Sequence, residues 1–261
     1  MSLTQTTLVA WLVIAVVMAV LWEVQRRRGN AGIVDLAWSL ATGLTGAALA
    51  AAADGLPERR HLIAVMALLW AGRLGIHLWR RLLADPEEDV RYRWARALWG
   101  PKTQRNLFVF FQVQAVWALL FAVPMASAAK NPRPLGLLDA VGVVFFAVSV
   151  IGESIADRQL RRFRQRTGPG KGVCRDGLWG WSRHPNYFFE WLHWFAYPFL
   201  AAGAEVHWVV MAVLGVPLML LFLYRITGIP VTEARLLESR GNAYRDYQRN
   251  TSAFFPWPPR R

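Results

Sequence analysis

An all-α, multi-pass membrane protein is the fold class this sequence predicts, and three observations predict it. Hydrophobic residues fill 55% of the 261 positions, with a mean hydropathy of +0.25. Apolar runs of bilayer-crossing length recur along the chain, because about 20 helical residues span a hydrocarbon core of ~30 Å. Basic residues collect in alternate connecting segments, the charge asymmetry that fixes membrane topology.

Seven spans are expected, at roughly 7–23, 34–53, 61–83, 106–129, 135–156, 185–202 and 207–227. The first has no basic segment before it and is followed by Arg26, Arg27 and Arg28, the pattern of an N-out anchor rather than a cleaved signal. The third contains a cation, Arg73, and the sixth is the shortest and most aromatic. With the N-terminus outside, the segments 24–33, 80–105, 157–184 and the tail from 225 face inward. They carry 25 of the 30 Lys and Arg, whereas the outer loops carry Arg59, Arg60, Lys130 and Arg133. That imbalance supports seven spans and a cytosolic C-terminus.

The two long inner segments have room for short helices. Val231, Leu236, Leu237, Tyr244 and Tyr247, interleaved with charge, predict one or two amphipathic helices over 231–250. The proline-rich end, 254–259, cannot be helical and is expected to tuck an aromatic cluster against the bundle. No linker or repeat interrupts the chain, so 1–261 reads as one domain. The net charge of +13 lies beside membrane segments and fits topology and anionic-lipid contact, not nucleic acid. Cys174 is the single cysteine, which excludes an internal disulfide and a Cys-based metal centre; no metal is expected. The glycine-rich stretch 168–172 lacks phosphate-loop spacing and reads as a turn, and no GxGxxG follows a strand.

Three polar constellations stand out. Arg183, His184, Asn186 and Glu190 crowd eight residues at the entrance to an aromatic span, where each is costly to bury without a partner. Pro185 fits the first turn of a helix, whose free N–H groups favour an anion. Asn186 and Glu190, four apart, share a face suited to reading a carboxamide. Glu153, Asp157, Arg161 and Arg164 also share one helical face. They form either a self-paired helix end or a grip on phosphate, in which the carboxylates orient the arginines or accept from ribose hydroxyls. Glu233 and Arg235, with Gly241, Tyr244 and Tyr247, are either surface decoration or a third part of the same site.

As a set these motifs resemble known reductases. Asp157-x-x-Leu160-Arg161-x-x-Arg164, Gly177-Leu178-Trp179 and Asn186-Tyr187-x-x-Glu190 resemble the C-terminal half of steroid 5α-reductases. Glu233-x-Arg235 with Gly241, Tyr244 and Tyr247 resembles the integral-membrane sterol reductases. His184-Pro185-Asn186-Tyr187 is also similar to the isoprenylcysteine methyltransferases. The likeness spans about 150–257 and is strongest to the bacterial branch of the 5α-reductase-like superfamily. It implies a seven-helix bundle taking NADPH from the cytosolic side. Glu153, Asp157, Arg161, Arg164, Arg183, His184, Asn186, Tyr187 and Glu190 would contact the cofactor, with Glu233, Arg235, Tyr244 and Tyr247 closing over it.

In the N-terminal half, 1–130, the resemblance puts Asp35 near the family's substrate-binding Glu and Trp70 at its Tyr. Arg73 and His77, one turn apart, join Asp35 as candidates for polarising an enone carbonyl, and Trp38 and Trp70 as substrate contacts. The expectation is an NADPH-dependent reductase of a polarised C=C bond in a lipid or steroid-like substrate, in a bacterial inner membrane. Its expected partners are membrane lipids and a hydrophobic small molecule, with no nucleic acid. An S-adenosylmethionine-dependent methyltransferase of the isoprenylcysteine type is the first alternative; its cofactor has no phosphate for the arginines to grip. A non-enzymatic seven-span lipid transporter or sensor is the second, and it predicts polar groups at the membrane midplane rather than the inner rim.

Overall fold

A computed structural model describes residues 1–84, 88–168 and 171–259. Pro169 and Gly170, the centre of the expected 168–172 turn, lie outside the described residues. Eleven α-helices are described: α1 Leu3–Arg28, α2 Ile33–Ala52, α3 Pro57–Ala84, α4 Val90–Trp99, α5 Thr103–Ala128, α6 Leu137–Thr167, α7 Pro185–His193, α8 Ala196–Ala201, α9 Val206–Leu221, α10 Ile229–Arg240 and α11 Asn242–Asn250. Among the described residues, six helical stretches are long and apolar enough to cross a membrane: Leu3–Arg28, Ile33–Ala52, Pro57–Ala84, Val90–Ala128, Leu137–Thr167 and Val206–Arg240.

The expected sixth span, 185–202, differs. It is two short helices, α7 and α8, with a turn at Trp194 and Phe195 between them. Pro198 lies in the first turn of α8, where its missing N–H leaves no helical bond to the carbonyl of Trp194 at the turn. The fifth span ends near 156 in hydropathy, yet α6 runs on to Thr167, because its Gln and Arg residues are good helix formers. The amphipathic tail is two helices. Gly241, at φ 53°, takes the left-handed conformation that separates α10 from α11.

The chain divides into two compact units, Met1–Leu138 with Tyr197–Ala212, and Asp139–Ala196 with Val213–Arg261. In the first, α2 approaches α3 and α5 through glycines: a methyl group on Gly43 would strike Ala67 and Ala71, and one on Gly46 would strike Met125. Ile14, Met18, Val34, Tyr92, Leu107 and Phe111 pack into one apolar core. Arg59, an outer-loop residue by sequence, is buried and donates at 2.8 Å to the carbonyls of Asn131 and Arg133.

In the second unit α6 and α7 pack closely, since a side chain at Gly152 would overlap the Phe189 ring. Phe254 is buried against Phe188, Trp191 and Tyr224, with ring centroids 5.6–6.0 Å away, so the tail forms the aromatic cluster its composition predicted. Arg183 N donates to Ser252 O at 2.8 Å and Trp257 N to Trp181 O at 2.9 Å, lacing the chain end beside the segment that leads into α7.

Candidate functional site

In the second unit, Glu153 and Asp157 are buried on successive turns of α6, while Arg161 and Arg164 continue the same face into solvent. Pro185 opens α7 as the sequence predicts, with His184 at its N-cap position. Asn186 donates its side-chain N–H to Asp157 Oδ1 at 3.3 Å, and its own carbonyl oxygen accepts from Tyr187 N at 3.1 Å. One turn on, buried Glu190 accepts from Trp194 Nε1 at 3.4 Å. Three carboxylates, Glu153, Asp157 and Glu190, are therefore buried along these stretches of α6 and α7, besides Asp139 in the first turn of α6. Burial of that kind is costly and marks a site that holds polar groups.

A second cluster, from the same unit, ties the tail to the start of α7. Arg183 donates from Nε to Glu233 Oε1 at 2.6 Å and from Nη1 to the carbonyls of Gln248 and Thr251 at 3.1 and 2.6 Å. His184 Nε2 meets the same Glu233 oxygen at 3.2 Å, and Gln248 Nε2 donates to the other at 2.8 Å. The His184 ring stacks on Tyr187, with centroids 5.3 Å apart and planes 9° apart, and the Tyr187 hydroxyl lies 3.3 Å from Thr232 Oγ1. Tyr244 and Tyr247 are buried, and Tyr247 donates to the Trp179 carbonyl at 2.5 Å. Of the residues expected as cofactor contacts, Arg183 and His184 are joined to Glu233, and Arg183 and Tyr247 bond backbone carbonyls. Arg235 alone of the tail set stands exposed.

The electrostatics follow from this burial. Desolvation lowers the pKa of His184, with Glu233 opposing it, so the imidazole is neutral at pH 7. Burial raises the hydroxyl pKa of Tyr244, the Glu233 charge adding to it, and burial does the same for Tyr247.

In the first unit, Asp35 accepts from Arg91 Nη2 at 2.6 Å and from the Tyr92 hydroxyl at 2.8 Å. Arg91 also donates from Nε to Asp89 Oδ1 at 3.1 Å. Burial would raise the pKa of Asp89, but the charges of Arg91 and Arg81 prevail and hold it to about 2. Sequence reasoning named Asp35 but missed Arg91 and Tyr92, which α4 brings back from 56 and 57 positions away. Asp89, whose side chain caps α4 by accepting from Arg91 N at 2.9 Å, was the one local signal of that helix start. Trp70 is fully buried and meets Trp38 edge-on at 6.3 Å. The Trp38 indole N–H is buried with no hydrogen-bond acceptor among the described residues, a cost of about 1–3 kcal/mol that a ligand oxygen would relieve. Arg73 and His77 lie half-buried one turn apart on α3. Among the described residues, no group of three His, Cys, Asp or Glu is disposed to hold a metal ion.

A family model described as a protein of unknown function, DUF1295, matches residues 21–251. The chain belongs to the DUF1295 family. DUF1295 is the steroid 5α-reductase-like group, in line with the motifs that α6, α7 and the tail carry. An uncharacterized protein of Schizosaccharomyces pombe is 27% identical over 273 residues, covering 91% of this chain and 76% of the yeast protein. No solved structure matches significantly.

The second unit's donor set fits a dinucleotide phosphate. Arg161 and Arg164 present planar guanidinium groups at the exposed end of a face whose buried end carries Asp157 and Asn186. Those residues would hold the phosphates at the outer end and amide or hydroxyl groups at the inner end.

Proposed function

We propose that this DUF1295 protein is an NADPH-dependent membrane reductase that saturates a polarised C=C bond in a lipid or steroid-like molecule. The reading is supported above all by the α6–α7 junction, where Glu153, Asp157, Asn186 and Glu190 gather on the buried side of exposed Arg161 and Arg164. NADPH, when bound, supplies the hydride. Arg161 and Arg164 grip its phosphates, and Asn186 and Glu190 orient its carboxamide. Arg183, His184, Glu233 and Tyr247 act indirectly, fixing the entry to α7 so that Asn186 and Glu190 keep their orientation. The Trp38 N–H is the hydrogen-bond donor for the substrate carbonyl, and Asp35, held by Arg91 and accepting from the Tyr92 hydroxyl, fixes the first turn of α2, the helix that carries Trp38. The cytosolic end of the bundle takes the cofactor from water.

Thermal-shift titration of the purified protein tests this reading. NADPH should raise the melting temperature more than NADH does, and S-adenosylmethionine should leave it unchanged. Arg161→Ala and Arg164→Ala should erase the preference for NADPH over NADH. A rise with S-adenosylmethionine alone would replace the reductase with a methyltransferase.

A further inference from the structure

The face of α6 opposite the cofactor residues carries a second set of polar groups, and its position relative to lipid identifies their partner. Val144, Val148, Ile151 and Ile155 are exposed and recur at intervals of 4, 3 and 4, a single stripe along α6. An exposed aliphatic stripe on a membrane-crossing helix faces acyl chains. Continuing it by steps of 4, 3 and 4 leads to Gln159, Arg162 and Arg166. At 100° per residue, Glu153, Asp157 and Arg164 lie about 160–180° around the helix from this stripe and Arg161 about 120°.

Gln159, Arg162 and Arg166, with Gln165 and Asp176, line an open cleft of about 440 Å³. At 1.5 Å per residue, Gln159 stands about 6 Å, Arg162 about 10 Å and Arg166 about 16 Å beyond Ile155, and long side chains on a helix lean toward its N-terminus, which carries the two guanidinium groups back toward the bilayer. The headgroup layer on each side of a bilayer is about 5–8 Å thick, so the cleft begins at headgroup depth. Two exposed tryptophans support that depth: Trp181, five residues after Asp176, and Trp257, hydrogen-bonded to the backbone of Trp181, stand where interfacial aromatic residues gather. Arg166 is ion-paired to Asp176, while Gln159 uses its carbonyl oxygen to accept from Leu178 N at 3.0 Å, leaving its amide hydrogens as donors. Two guanidinium groups and one carboxylate give the lining a net charge of +1, the complement of one phosphodiester.

We propose that this cleft seats the phosphate of an anionic phospholipid whose acyl chains lie along the Val144, Val148, Ile151 and Ile155 stripe. Arg162 and Arg166 bind the phosphate oxygens, and the Gln159 and Gln165 amides bind headgroup hydroxyls. The site is separate from the cofactor face and does not depend on the reductase reading.

Native mass spectrometry and melting of the full-length protein in detergent test it, with phosphatidylglycerol, phosphatidylcholine and inorganic phosphate as three separate additions. Phosphatidylglycerol should remain bound and raise the melting temperature, while phosphatidylcholine and millimolar phosphate should not. Arg162→Ala with Arg166→Ala should weaken phosphatidylglycerol about tenfold or more, the loss of roughly one charged contact. Both side chains are exposed, so the lipid-free melting temperature should stay unchanged. Arg161→Ala, about 120° around α6 from the stripe, should leave lipid retention intact. Equal retention of both lipids, or of phosphatidylglycerol by the double variant, overturns the proposal. Stabilisation by inorganic phosphate equal to that by the lipid overturns the lipid assignment in favour of a free-anion site.

Discussion

Replacing Arg183 with Ala separates a strut from a ligand contact. The Arg183 side chain is 10% exposed and that of Glu233 14%, so solvent screens their 2.6 Å contact little. Without the guanidinium, Glu233 keeps Gln248 and His184 as hydrogen-bonding neighbours, and the carbonyls of Gln248 and Thr251 lose a donor. Removing one partner of a buried pair costs about 3–5 kcal/mol, and the residual exposure here argues for the lower end, ~3 kcal/mol. At about 2–4 °C per kcal/mol for a chain of this size, the melting temperature should fall by roughly 6–12 °C. Tryptophan fluorescence follows the melt, and NADPH affinity is measured well below it. A strut predicts the fall with affinity kept within about threefold; Arg183→Lys should lie between, because an ammonium cannot reproduce the forked geometry. An unchanged melting temperature combined with lost NADPH binding would refute the reasoning and return Arg183 to the ligand site.

Three further outcomes follow from the same geometry. Because burial depresses the His184 pKa, the unfolded chain takes the proton first as the medium acidifies. Stability is therefore full above about pH 6.5, declines as pH falls through that value, and levels off below the lowered folded value. His184→Gln should flatten the melting difference between pH 7.5 and 5.5, and an unaltered difference would remove His184 as its source. Tyr92→Phe deletes the hydroxyl donated to Asp35, so it should cost ~1 kcal/mol of stability while sparing NADPH affinity; an unchanged melting temperature would dismiss that hydrogen bond as a support of Asp35. Gly152→Ala pushes a methyl group into the Phe189 ring and should destabilise the α6–α7 packing by about 1–3 kcal/mol, read as a lower melting temperature.

The long helices were legible because an apolar run of about 20 residues has few other uses. The break of 185–202 into two short helices at Trp194 and Phe195 was not legible, because hydropathy registers the aromatic residues of the segment and not a local turn between them. The face shared by Glu153, Asp157, Arg161 and Arg164 was legible from spacing alone, since helical periodicity is local. Arg183 was not. Two of its acceptors are backbone carbonyls 65 and 68 residues away, and carbonyls leave no mark in a sequence. The same distance hid Tyr92 and Arg91, whose relation to Asp35 depends on where α4 folds back. Polar residues close together in sequence looked like one ligand site, whereas the structure sorts them into a buried junction with Asn186 and a tail clasp around Arg183.

The central claim is that α6 and α7 hold NADPH, and a cryo-electron microscopy map of the purified protein with added NADPH tests it most directly. The account predicts nucleotide density along α6, with phosphates against Arg161 and Arg164 and the carboxamide end beside Asn186 and Glu190. Density elsewhere, or none at saturating NADPH, would contradict it.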